Sequence, residues 1–229
     1  MFMFNLKQML TIKKQILILS LVIAGILQAC SSPANNNSTS SMDIQAKPGQ
    51  KTDTAILAAG CFWCIEAIFQ QLDGVISVTS GYTGGQIKNP SYKEVCNGTT
   101  GHAEAAEIIF DPSKITFDEL LEVFWKTHDG TQLNRQGADV GTQYRSAVYY
   151  LNDSQKEKAD RYKKELNEAG AFDKPLVTEV TAFDGKFYKA EDYHQNYYNQ
   201  NGNQGYCTMV IRPKVEKFQK VFKDKLKKD

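Results

Sequence analysis

The chain has 229 residues, 41% of them hydrophobic, and its 27 basic and 26 acidic side chains leave a formal charge of +1. A balance this even gives no electrostatic case for binding nucleic acid or an anionic membrane surface. Five cysteines in a chain with this much apolar material are not the staples that much smaller domains depend on.

Lys7, Lys13 and Lys14 precede the apolar run Ile16 to Leu27, and no acidic residue occurs before Asp43. A positive region followed by an apolar stretch too short to span a bilayer comfortably reads as a secretory signal over residues 1–29. It ends in Leu27-Gln28-Ala29-Cys30, which resembles the lipobox of bacterial lipoproteins despite Gln28 in place of a small residue. Cys30 is therefore the expected lipidation site; an ordinary signal peptide cut nearby, or an N-terminal anchor, is the alternative. Residues 30–51 are mostly Ser, Asn, Pro, Thr and Gln, which cannot bury enough surface to offset ordering entropy, and read as a lipidated, disordered tether. Residues 52–229 remain as one domain. Without the three signal lysines the chain carries 24 basic and 26 acidic residues, a formal charge of −2. The expected location is the cell envelope after export, with membrane attachment through the lipid alone.

The domain opens with a strand at Ala55–Ala59 and a helix from Cys61 to Leu72, whose Phe62, Ile65, Phe69 and Leu72 recur at helical spacing. Gly74 ends the helix, a strand resumes at Val75–Val78, and Ser80-Gly81-Tyr82-Thr83-Gly84-Gly85 reads as a loop in which glycine permits unusual backbone angles. Ala103–Phe110 is a strand stopped by Asp111-Pro112. Thr116 with Glu119 is a capping box for a helix whose stripe is Phe117, Leu120, Leu121 and Phe124. A long loop, Thr127–Thr142, precedes a strand at Ala147–Leu151, a charged helix at Ser154–Ala169 and a strand at Val177–Ala182. A helix over Glu191–Tyr198, a mobile arm over Asn199–Gly205 and a basic helix over Lys214–Lys227 complete the reading. No internal repeat is visible. The order β-α-β-β-α-β followed by α-β-α predicts an α+β fold: a two-layer sandwich with a ferredoxin-like split β-α-β core and a long, partly irregular C-terminal segment.

Cys61 and Cys64 bracket Phe62 and Trp63 where strand passes into helix. A cysteine in the first turn lies near unpaired N–H groups and the positive end of the helix dipole, which favour the thiolate. Glu104 opens an apolar strand after a turn. Desolvated, its carboxyl would stay protonated near neutrality and form an acid and nucleophile pair with a thiolate; on a solvated strand face it would do neither. His102 reads as a structural hydrogen-bonder and Cys96 as a buried thiol. Asp139 and Tyr144 lie in the long loop with groups suited to a peptide, and the arm before Cys207 is placed to deliver a second thiol. A thioredoxin-like oxidoreductase would share the C-x-x-C, yet Pro90 and Pro112 lie in polar turns where that fold needs a proline after a strand. A zinc module would use Cys61, Cys64, Cys96, Cys207 or His102, but a second closely spaced ligand pair is missing, so no metal is expected.

Six strings in order resemble the A-type peptide methionine sulfoxide reductases: Gly-Cys-Phe-Trp at 60–63, Ser-Gly-Tyr-Thr-Gly-Gly at 80–85, Tyr-Lys-Glu-Val-Cys at 92–96, Thr-Gly-His-Ala-Glu at 100–104, Gly-Thr-Gln-Tyr-Arg-Ser at 141–146 and Tyr-His-Gln at 193–195. The resemblance runs from Ala55 to Lys214, without the B-type partner domain. It implies that Cys61 attacks the sulfur of the S epimer of methionine sulfoxide, free or in proteins, while Glu104, assisted by Tyr92 and Tyr144, protonates the oxygen. Phe62 and Trp63 would hold the methyl group, with Tyr197 nearby and Asp139 on the substrate backbone. Cys61 would become a sulfenic acid, resolved to a disulfide and restored by thioredoxin or a similar external reductant, without a bound cofactor, in a monomer. The resemblance leans to Cys207 as the first resolving thiol. Cys64 is close enough in sequence to compete, and a relay through both is the third possibility.

Overall fold

The computed structural model describes residue 49 and residues 51–228, so the signal, Cys30 and most of the tether lie outside the described residues. Strand β1 (Asp53–Ala59) runs into helix α1 (Phe62–Phe69), then strand β2 (Val75–Thr83), a short helix α2 (Tyr92–Cys96) and strand β3 (Ala103–Phe110). Helix α3 (Phe117–Thr127), strand β4 (Ser146–Tyr150), helix α4 (Asp153–Glu168) and strands β5 (Glu179–Ala182) and β6 (Phe187–Lys189) follow. The chain ends in helix α5 (Tyr197–Asn201), a π-helical turn (Cys207–Ile211) and helix α6 (Arg212–Val221).

The sheet order is β5-β4-β1-β3-β2-β6. β3 is antiparallel to both β1 and β2, so those two run parallel with β3 between them and α1 as their crossover. β4 lies antiparallel on the other side of β1, which completes the split β-α-β core. β5 extends the sheet in parallel beyond β4, and β6 extends it antiparallel beyond β2. Helix α1 packs on β1, β2 and β3, and α6 packs on α1 and α3, forming the helical layer.

The two edge strands are joined by the short link from Ala182 to Phe187. Five peptide steps reach at most about 18 Å, whereas six flat strands would place their edges about 24 Å apart. The sheet therefore curls. Its inner face is lined by Ile56, Ala58, Ala103, Ala105, Ala147 and Tyr149, with Phe183 and Phe187 packed against them. Small alanines allow the tight curvature, and the aromatic pair fills what they leave.

Several expected boundaries move. The loop read at Ser80–Gly85 is strand as far as Thr83, because β3 pairs with it along its whole length and β6 pairs with its end. Gly81 is needed for close approach: a Cβ there would lie 2.5 Å from the Phe187 ring and the Tyr188 carbonyl. The helix read over Glu191–Tyr198 is instead a 3-10 turn, Asp192–His194, and then α5, with Asn196 left-handed at φ 54° between them. The arm at Asn199–Gly205 begins inside α5, and the Gly202 carbonyl is tied to Arg212. The last helix begins at Arg212, two residues before the expected start, and ends at Val221. The long loop contains a small ladder of Arg135–Gln136 with Asp139–Val140.

The capping box of α3 is complete: Thr116 Oγ1 accepts from the Glu119 amide at 3.3 Å and Glu119 Oε2 accepts from the Thr116 amide at 2.9 Å. Thr116→Ala should lower stability by about 1 kcal/mol. Urea unfolding is expected to show an earlier midpoint with an unchanged slope.

Candidate active site

Cys61 is the residue that caps α1, and its side chain makes no capping bond. Its neighbour Phe62 donates its backbone N–H to Glu104 Oε2 at 3.0 Å, satisfying one of the open donors of the first turn with a carboxyl from the start of β3. The three groups are almost fully buried: Glu104 is 1% exposed, Cys61 5% and Cys64 3%. Burial pushes the Glu104 carboxyl up to about 8 against the pull of the Phe62 amide, so it holds its proton at neutral pH.

The two thiols differ from the expectation that Cys61 is the acidic member. Burial pushes the Cys61 thiol well above its ordinary value, reinforced by its hydrogen bond to Cys64 and by the Glu104 charge. Cys64 is lowered to about 7, because it accepts that hydrogen bond and because Lys214 stands beside it. The Lys214 Nζ lies 3.6 Å from the Cys64 sulfur. Desolvation at Cys61 outweighs the helix dipole, whose effect is modest. The pair therefore carries its first negative charge on the Cys64 side.

An aromatic box closes over these groups. Trp63 stacks on Tyr197 with centroids 3.7 Å apart and planes 7° from parallel, and Tyr206 meets Trp63 edge-on at 5.8 Å. Phe62 packs against Tyr82, Tyr92 and His194. Trp63 Nε1 donates to His194 Nδ1 at 3.2 Å, which leaves the imidazole proton on Nε2. The phenols of Tyr92 and Tyr144 are both raised by burial and by the Glu104 charge, so both remain hydrogen-bond donors. Asp139 accepts from the Tyr206 hydroxyl at 2.7 Å, and the same hydroxyl is within hydrogen-bonding reach of the Cys61 sulfur.

Two further carboxyl groups, buried Glu66 and half-buried Glu191, hold this box from behind. Glu66, one turn along α1 from Phe62, accepts the Asn196 amide at 2.8 Å and the Tyr197 amide at 3.3 Å; burial raises its carboxyl to about 7. Taking those two amides breaks the helix expected across Glu191–Tyr198. Glu191 accepts from the Tyr82 hydroxyl at 2.8 Å and the Tyr92 amide at 2.9 Å. Tyr92 opens α2, whose capping box is Ser91 with Glu94. Arg145 ties the neighbouring loops together through the carbonyls of Gly101 at 3.1 Å and Thr142 at 3.0 Å.

The structure thus brings Cys61, Cys64, Glu104, Tyr92, Tyr144, Phe62, Trp63, Asp139 and Tyr197 into one place. Cys207 is fully buried at the start of the π-helical turn, and burial and the Cys64 charge raise its thiol. Cys96 is half-buried, not buried as expected, because it ends α2 at the surface, where the Tyr92 hydroxyl reaches its sulfur. His102 is structural: Nδ1 accepts from the Gly85 amide at 3.1 Å while Nε2 bonds the Ile87 carbonyl at 2.7 Å. Sequence reasoning missed Glu66, Glu191, Tyr82, Tyr206 and Lys214. For α2 a signal was present, since Ser91-Tyr92-Lys93-Glu94 has the same capping-box form as Thr116 to Glu119. Among the described residues no three His, Cys, Asp or Glu side chains gather as a metal site.

The family described as peptide methionine sulfoxide reductase matches residues 53–226. A relative, the peptide methionine sulfoxide reductase MsrA 1 of Rhodopirellula baltica, is 52% identical over 186 residues, which is 81% of this chain and 94% of that protein. Mxr1 of Saccharomyces cerevisiae in its reduced form superposes with a TM-score of 0.64 at 32% identity, covering 72% of this chain and 94% of that one. Methionine sulfoxide reductase A of Corynebacterium diphtheriae gives 0.60 at 38% identity, covering 68% of this chain and 76% of that one. With the acid, the paired thiols and the aromatic box in place, the chain belongs to the peptide methionine sulfoxide reductase family, and within it to the A type.

Proposed function

We propose that the chain reduces the S epimer of methionine sulfoxide, free and within proteins, and so repairs oxidised proteins. The observation that carries this reading is the Glu104 carboxyl, held next to Cys61 through the Phe62 amide and protonated at neutral pH. A substrate sulfoxide enters the aromatic box with its methyl group against Phe62 and Trp63 and its oxygen toward Glu104, Tyr92 and Tyr144. Glu104 gives its proton to the oxygen as Cys61 attacks the sulfur, and the proton of Cys61 passes to Cys64. The S–O bond of the substrate breaks and one forms on Cys61, two electrons move to the methionine sulfur, and methionine leaves a Cys61 sulfenic acid. Asp139 holds Tyr206 in the wall of the box and contributes negative charge at its rim.

A resolving thiol converts the sulfenic acid to a disulfide with loss of water, and a thioredoxin-like dithiol reduces it by exchange. Cys64 and Cys207 are the thiols available for this. No bound cofactor is needed, and the chain acts as a monomer. The first 52 residues lie outside the family match. Their lysines, apolar run and Leu27-Gln28-Ala29-Cys30 support export and lipid attachment at Cys30 to an envelope membrane.

Peptides carrying each sulfoxide epimer should separate the roles. Cys61→Ser should abolish methionine formation from the S epimer, and Glu104→Gln should lower kcat by about 10²- to 10⁴-fold; activity surviving Cys61→Ser would sink the mechanism. The pH profile of kcat/KM should be bell-shaped. Activity rises as the thiol pair loses its proton near 7 and falls as Glu104 loses its proton near 8, so the optimum lies between those values. In cells, palmitate label should attach to the wild-type chain and vanish with Cys30→Ser, which should also leave the membrane fraction; an unlabelled wild-type chain would refute the lipid anchor.

A further inference from the structure

We propose that Lys214 is a positioning residue for the resolving step: its ammonium group keeps negative charge on the Cys64 sulfur, so that Cys64, and not Cys207, captures oxidised Cys61 first. The inference rests on the reductase reading above. Lys214 lies in the first turn of α6, 150 residues from Cys64, and its Nζ reaches the Cys64 sulfur at 3.6 Å. Among the described residues no ion pair involves Lys214, so its charge is not neutralised by a carboxylate. A cation on a part-buried stem, spent on a buried thiol, has no packing reason to be there. Val215 and Phe218, the buried side chains of α6, already anchor the helix.

The groups around Cys64 sort the two resolvers. Cys61, on its own helix, hydrogen-bonds to it. Asp139 on the long loop, Glu104 on β3 and Tyr206 and Cys207 beside the π-helical turn all interact with it electrostatically. Lys214 brings positive charge to Cys64, against the acidic and thiol groups on its other sides. Cys207 responds to the charge of Cys64 and has Arg212, not Lys214, as its cation. The backbone already brings the first pair close, with the Cys64 amide donating to the Cys61 carbonyl at 3.0 Å. In the step itself, Cys64 passes the proton it took from Cys61 to the Glu104 carboxylate, and its thiolate attacks the Cys61 sulfenic sulfur. The S–S bond forms, the S–O bond breaks, and the departing hydroxide takes that proton from Glu104 and leaves as water. The oxidant is the oxygen atom already delivered by the sulfoxide, so the electrons balance without a further reagent.

The test uses the full chain with Cys207→Ser, leaving Cys64 as the resolver, reacted once with a methionine sulfoxide peptide without reductant. Methionine release and thiol loss are followed together. Lys214→Met should lower the ratio of thiol-loss rate to methionine-release rate about tenfold or more at neutral pH, and the deficit should close when the sulfenic acid, formed at neutral pH, is jumped to about pH 9.5, where a thiol ionises unaided. Lys214→Arg, which keeps the charge, should restore the ratio to within about threefold of the parent. An unchanged ratio in Lys214→Met overturns the proposal, as does a deficit that neither high pH nor arginine relieves. Failure of the parent to release methionine from either epimer would instead overturn the reductase reading.

Discussion

The hydrogen bond from the Phe62 amide to Glu104 is the constraint around which the site is organised. It joins the start of β3 to the start of α1, two elements that the split β-α-β topology already brings together. The amide is one of the donors a helix leaves open at its N-terminus. Glu104 fills that vacancy, and in doing so is drawn into a place without water. Burial then opposes its ionisation more strongly than one amide favours it, and the carboxyl keeps its proton. A helix cap and the proposed catalytic acid are thus the same group.

Carboxyl groups bonded to backbone recur twice. Glu66 accepts the amides of Asn196 and Tyr197, and Glu191 accepts the Tyr92 amide and the Tyr82 hydroxyl, so between them they fix Tyr197, Tyr82 and Tyr92. The walls of the aromatic box stand on α1, β2, α2 and α5, and carboxyl groups behind them fix where Tyr82, Tyr92 and Tyr197 sit. Ring pairs prefer offset-stacked and edge-on arrangements, and the carboxyl groups bonded to backbone set where each ring stands.

Much of this was legible in advance, and the reasons are local. The capping box at Thr116, the strand at Ala103 to Phe110 and the thiols at the mouth of a helix all carry their signal within a few residues. The order of elements was enough for the split β-α-β core, because few topologies accept it. What escaped depends on distant partners. Thr83 is strand because β3 lies beside it, Asn196 leaves the helical path because Glu66 takes its amide, and Lys214 matters only because folding sets it against Cys64. The effect of burial on the Cys61 thiol is of the same kind. Helix position is written in the sequence, whereas depth of burial and a cation from the last helix are not.

The curl of the sheet carries a consequence for recognition. Its outermost strands, β5 and β6, have four and three residues. Edges so short offer a visiting polypeptide few unpaired amides and carbonyls with which to extend the ladder. A chain that reaches this enzyme therefore finds little at either sheet edge with which to pair its backbone.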